Sequence, residues 1–143
     1  MNYPNRFDFN TKSSYYRAIM AGRTDAVLCG DSALEYYRLS NDNLSGKVYV
    51  YSNCSLPDPF VVLPVKDFSN IDYEVKDGVM VTTVSQTIND LLEEDGEGSQ
   101  PLYEALNYWY FTHGESWDGL NIKPQNTKVF AEVAKVSLEY YED

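Results

Sequence analysis

The pair Asp77-Gly78 lies between two alternating runs, Ile71-Asp72-Tyr73-Glu74-Val75 before it and Val79-Met80-Val81-Thr82 after it. A two-residue type I′ turn needs positive φ at both central positions, which Asp and Gly tolerate better than most residues. The pattern therefore predicts a β-hairpin. In its first arm the alternation sets Ile71, Tyr73 and Val75 toward a core, with Asp72 and Glu74 toward water.

Strand signals continue upstream of this hairpin. Lys47-Val48-Tyr49-Val50-Tyr51 alternates β-branched and aromatic residues, and Phe60 to Val65 is nearly continuously apolar up to Pro64. The remainder has helical periodicity. Asn10 or Thr11 can cap a first helix running to about Arg23, with Tyr15, Tyr16, Ile19 and Met20 on adjoining faces and residues 1–10 as an extended arm. After the short apolar run Ala26 to Cys29, Asp31 or Ser32 can cap a second helix carrying Ala33, Leu34 and Tyr37. Thr83 followed by Gln86 reads as a capping box, and Val84, Thr87, Ile88, Leu91 and Leu92 form a core-facing stripe behind it. Leu102, Ala105, Leu106 and Trp109 repeat that stripe, and Val129, Val133, Val136 and Tyr140 mark a last helix. The expectation is one α+β domain over residues 1–143, a small, largely antiparallel sheet with helices packed on one face.

Composition narrows the functional classes. The net charge of -11 would be repelled by a phosphate backbone, since nucleic-acid affinity comes from cations that displace counterions. It suits a basic protein partner instead. No segment reaches the length of apolar chain that crosses a bilayer, and the first residues lack the apolar stretch of a signal peptide, so the expected location is the cytoplasm. Cys29 and Cys54 have neither metal-site nor disulfide-framework spacing. Cys29 ends an apolar run and reads as a small core residue.

The chemistry-bearing motifs are incomplete. Gly30-Asp31-Ser32 resembles the nucleophile motif of SGNH hydrolases, yet the one histidine, His113, sits in no Asp-x-x-His motif that would supply the base. A nucleotidyltransferase would follow such a turn with paired carboxylates on the next strand, where this chain has Lys47-Val48-Tyr49-Val50-Tyr51. The acidic stretch 93–98 lacks the ligand spacing of a calcium loop, and reads as a solvated turn between helices. His113 has no second metal ligand nearby in sequence and reads as a helix end. No metal or cofactor is expected. The run Tyr108-Trp109-Tyr110-Phe111 cannot all face inward on one helix, so Tyr108 or Tyr110, with Trp117 nearby, is a candidate for partner contact or for packing on another element.

Two phrases, Ser32-Ala33-Leu34-Glu35-Tyr36-Tyr37-Arg38-Leu39 and Thr83-Val84-Ser85-Gln86-Thr87-Ile88-Asn89-Asp90-Leu91-Leu92, resemble the carboxyl-terminal half of AbiEi-type antitoxins of type IV toxin–antitoxin systems. That family has a Ser-Ala-Leu helix ending in Gly-Leu, and later a Ser-x-x-Arg-Thr-x-x-Asp-Leu-Leu helix start. The resemblance spans roughly residues 26–110. Gln86 stands where the family commonly has Arg, and no winged helix precedes residue 26. The resemblance implies a protein-binding module that neutralises a basic nucleotidyltransferase-type toxin. It makes Thr87 and Asp90 partner-binding candidates, which could equally bond backbone near the helix start. Two alternatives stand beside it: a hydrolase-like enzyme using Ser32, and a self-associating protein whose aromatic helix forms a homodimer.

Overall fold

The computed structural model describes residues 13–40, 46–95 and 99–140. The expected arm over 1–10, the cap at Asn10 or Thr11 and the 96–98 part of the acidic turn lie outside the described residues. Helix α1 covers residues 13–20. It is followed by β1 (Ala26–Leu28), α2 (Gly30–Tyr36), β2 (Val48–Ser52), β3 (Phe60–Pro64), β4 (Tyr73–Lys76) and β5 (Val79–Thr82). Then come α3 (Val84–Asp95), α4 (Gln100–Thr112), a 3₁₀ turn (Pro124–Asn126) and α5 (Thr127–Tyr140). The fold is α+β, as the patterning predicts.

The five strands form one sheet in the order β3-β2-β1-β5-β4. The predicted hairpin is there: β4 and β5 pair antiparallel with Lys76 opposite Val79, and Asp77 and Gly78 have φ of 53° and 82°. The sheet as a whole is mixed rather than largely antiparallel. β1 pairs antiparallel with β2 and parallel with β5, and β2 pairs parallel with β3. Parallel neighbours usually need a long crossover. Here β2 and β3 have only five residues each, about 17 Å of strand. The connection over residues 53–59 can stretch about 23 Å, enough to return to the starting end. The short run Ala26–Leu28 is the centre of the sheet, buried at all three positions.

Neighbouring residues of a strand point to opposite faces, and that separates the layers. Val48 and Val50 of β2 join Ala26, Leu28, Val79 and Val81 in an apolar cluster under Tyr16 and Met20 of α1. Tyr51 points the other way, and its hydroxyl donates to Asp90 Oδ2 of α3 at 2.8 Å. Helices therefore lie on both faces, not one. A second cluster, with Ile88, Leu91, Leu92, Leu102, Leu106 and Val133, is built from α3, α4 and α5 together with Leu34 of α2 and Leu39, without any strand residue. The last helix buries Val133, Ala134 and Ser137 and leaves Val136 exposed, so its core face is turned from the expected stripe. All four residues of β4 are exposed, so Tyr73 and Val75 do not face a core as the alternation predicts; the apolar cluster on the sheet takes its strand residues from β1, β2, β3 and β5.

Helix α2 closes with a Schellman motif: Leu39 N–H donates to Leu34 O and Arg38 N–H to Glu35 O, both at 2.9 Å. Leu34 and Leu39 share the second apolar cluster, which is the hydrophobic contact that accompanies this cap. The motif puts Arg38 at φ 64°, a conformation that costs an L-residue about 1–2 kcal/mol. Arg38 is exposed, so Arg38→Gly relieves that cost without removing packing. After glycine's larger loss of backbone freedom, the expected gain is about 0.5–1 kcal/mol in urea unfolding; a variant no more stable than the parent would contradict this account.

Candidate functional site

The face of β2 and β3 opposite α1 borders a cavity of about 570 Å³ beneath α3. Tyr49 and Tyr51 of β2 and Val61 and Leu63 of β3 form its floor. Asp31 and Cys29 close the end at α2, and Asp90, Glu93 and Glu94 of α3 line the upper wall. Alternation decides this: the valines of Val48-Tyr49-Val50-Tyr51 fill the core and the tyrosines are left for the cleft. The described lining contains carboxylates and aromatic rings and no Lys, Arg or His.

Asp90 is the centre of the wall. Its Oδ2 accepts from Tyr51 and its Oδ1 from Gln86 Nε2, each at 2.8 Å. Burial holds its pKa above the ordinary carboxylate value; the two hydrogen bonds and distant Lys123 pull it back down, while Glu93 pushes it up. Both direct partners are neutral, so the charge is bonded but not paired. Burial also raises the Tyr51 hydroxyl, assisted by the bond to Asp90. The Cys29 thiol, 1% exposed, is pushed well up by burial first and then by Asp90, Glu94 and Asp31. Cys29 thus packs as the small core residue its context suggests. Glu93 and Glu94 stand in the last turn of α3, which carries no basic residue. That end of the helix already bears the negative pole of its dipole.

Gln86 explains how α3 is seated. Thr83 Oγ1 accepts from Gln86 N–H at 3.1 Å, the first half of the predicted capping box. The Gln86 side chain does not reach back to complete it. Its Oε1 accepts from Asp72 N–H at 3.0 Å while its Nε2 goes to Asp90. Thr87 is fully buried, its Oγ1 bonding Thr83 O at 2.7 Å and lying 2.6 Å from Thr82 Oγ1. It is a helix-start residue, out of a partner's reach, whereas Asp90 opens onto the cleft.

The aromatic run divides between two duties. Trp109 stacks on His113 at 3.7 Å, and His113 is the residue that ends α4, as expected. Tyr110 packs on Trp117 at 4.7 Å and Trp117 on Phe130 of α5 at 5.4 Å, so both fasten the loop after α4 rather than face outward. Tyr108 and Phe111 are left exposed. The structure does not gather Asp90, Tyr108, Tyr110 and Trp117 into one site. Tyr49 and the α3 carboxylates Glu93 and Glu94, absent from the sequence-based candidates, stand with Asp90 instead. Their signals were the strand alternation and the acidic residues in the last turn of α3.

Ser32 and Asp31 do not cap α2 with their side chains; the N-cap residue is Cys29, with no side-chain cap bond. Ser32 is fully buried, accepts from Tyr49 N–H at 2.9 Å and lies 3.4 Å from Lys47 O. Its hydroxyl fastens the start of β2 to α2. Among the described residues no group of three or more His, Cys, Asp or Glu is arranged to hold a metal, and no helix is long and apolar enough to cross a membrane. A second depression, about 730 Å³, lies over the start of α3 and contains Asp72, Gln86, Asn89 and Lys123. Its polar groups are largely committed: Asn89 alone bonds Ser85, Asn121, Lys123 and Asn126.

Ser32→Ala should cost about 1–3 kcal/mol in urea unfolding, because Tyr49 N–H loses its acceptor inside the fold. For Asp90 the sign follows from its raised pKa: the folded chain holds the proton more tightly than the unfolded one, so ionisation destabilises the fold as pH rises through that range. Asp90→Asn can still accept from Gln86 and donate to the Tyr51 oxygen. It should be more stable than the parent at pH 7, with the difference vanishing below about pH 4. Thermal unfolding across pH measures this, and a pH-independent difference would contradict it.

No family model matches the chain, and no curated protein or solved structure matches it either.

Proposed function

We propose that this protein is a non-catalytic binding module that takes a cationic side chain of a basic protein partner into the cleft between β2, β3 and α3. One observation carries the reading: a cavity walled by Asp90, Glu93, Glu94 and two tyrosines, with no cation among its described lining residues. Arginine is the best fit by chemistry. Its planar guanidinium can lie on a tyrosine ring and fork toward carboxylates at once, and it is less strongly hydrated than an ammonium. A cation there would neutralise a half-buried carboxylate and oppose the negative end of α3. The net charge of -11 would steer such a partner toward the surface.

The resemblance of residues 32–39 and 83–92 to AbiEi-type antitoxins gives that partner a class, a nucleotidyltransferase-type toxin acting in the cytoplasm. In this chain Gln86 supplies a neutral donor to Asp90 where the family commonly has a cation. The reading is that the missing charge is delivered by the partner.

Co-expression with the product of the adjacent reading frame, followed by co-purification at low salt, tests the partner. Titration of an arginine-rich peptide tests the cleft. Amide shifts should concentrate on residues 29–31, 49–51 and 90–94, and Asp90→Asn should weaken binding about tenfold while leaving the fold at least as stable. Shifts spread evenly over the acidic surface, or an unchanged affinity in Asp90→Asn, would reject the cleft as the binding site.

A further inference from the structure

At the opposite edge of the sheet β4 has no outer neighbour among the described residues, and we infer that it pairs antiparallel with β4 of a second copy, centred on Val75. The hairpin register settles which backbone groups are free. Thr83 N–H donates to Asp72 O, and Glu74 and Lys76 stand opposite Val81 and Val79. The backbone groups of Asp72, Glu74 and Lys76 therefore face β5, and those of Tyr73 and Val75 face outward. Two copies can bond only through outward residues, which leaves few registers.

Side-chain chemistry selects among them. With Val75 opposite Val75 of the second copy, Glu74 stands opposite Lys76 of the second copy and Lys76 opposite its Glu74. That gives two opposite-charge pairs around an apolar centre. A shift by one allowed step sets Asp72 opposite Lys76 but puts Glu74 against Glu74, and the opposite step puts Lys76 against Lys76, so of these three registers only the one centred on Val75 has no like-charge pair. Among the described residues Val75 is the most exposed of the large apolar ones, at 66%, and Tyr73 close to it is 40% exposed. The pairing covers both. Glu74 is already oriented, since Tyr37 Oη donates to its Oε2 at 2.6 Å, so less side-chain freedom is lost on association. A lysine on an edge strand ordinarily deters pairing. Here the matching glutamate two residues away turns the same lysine into the device that fixes register.

The dimer would carry a continuous sheet through both copies. The clefts at β2 and β3 lie toward its two outer ends, so this inference stands apart from the function proposed for the cleft.

Sedimentation velocity over a wide concentration range, with circular dichroism to confirm folding, tests the pairing. The parent should dimerise reversibly. Glu74→Lys and Lys76→Glu should each weaken dimerisation about tenfold, since each converts two opposite-charge pairs into two like-charge pairs. The double exchange E74K/K76E should restore it. Val75→Pro, which removes an outward N–H while leaving the bonds to β5, should abolish it. A parent that stays monomeric to about millimolar concentration, where even weak association registers, overturns the inference. So does a dimer indifferent to both single exchanges, which would place the contact elsewhere, such as on Tyr108 and Phe111 of α4.

Discussion

Helix α2 must be buried on two sides at once, and the rest of the molecule is arranged around that demand. Ser32, Ala33, Leu34, Glu35 and Tyr36 are consecutive and all buried. Ala33 and Tyr36 belong to the cluster formed with the sheet and α1, and Leu34 to the cluster formed by α3, α4 and α5. Those two apolar bodies share no buried residue. A short helix with nearly no solvent face is what joins them, so its polar members need partners inside. Ser32 finds Tyr49 and the Lys47 carbonyl, and Glu35 receives the Tyr16 hydroxyl at 2.5 Å.

Between sheet and helical body the remaining fastenings are polar. Tyr51 to Asp90, Asp72 to Gln86 and the Thr82–Thr87 hydroxyl contact run along one side of α3. Hydrogen bonds at a few points, with no apolar cluster spanning the two surfaces, leave space between them. The cleft is that space. It is lined by groups that could not have been buried in a close-packed interface without cost: tyrosine hydroxyls, a carboxylate bonded by neutral donors, and the acidic end of a helix.

The loop that follows α4 is a second polar construction. Asn89 satisfies donors and acceptors from residues 121, 123 and 126, and Trp109, Tyr110 and Trp117 add aromatic contacts on the other side. Much of the aromatic content that suggested a binding surface is thus spent on holding an irregular segment in place. Tyr and Trp suit this duty because their rings pack as large apolar bodies, and Trp109 Nε1–H also donates to Asp118 O at 3.3 Å.

Local chemistry in the chain was enough to specify the hairpin at Asp77-Gly78, the start of α3 at Thr83, the end of α4 at His113 and the α+β class. Each depends on a turn, a cap or a periodicity contained within a few residues. Asp90 could be named in advance, but not its surroundings. The central position of Ala26–Leu28, the parallel pairing of β2 with β3, the burial of Thr87 and the meeting of Tyr51 with Asp90 were decided only by tertiary structure. Those outcomes depend on which distant segments lie side by side, and residues 39 positions apart leave no local mark of the bond between them.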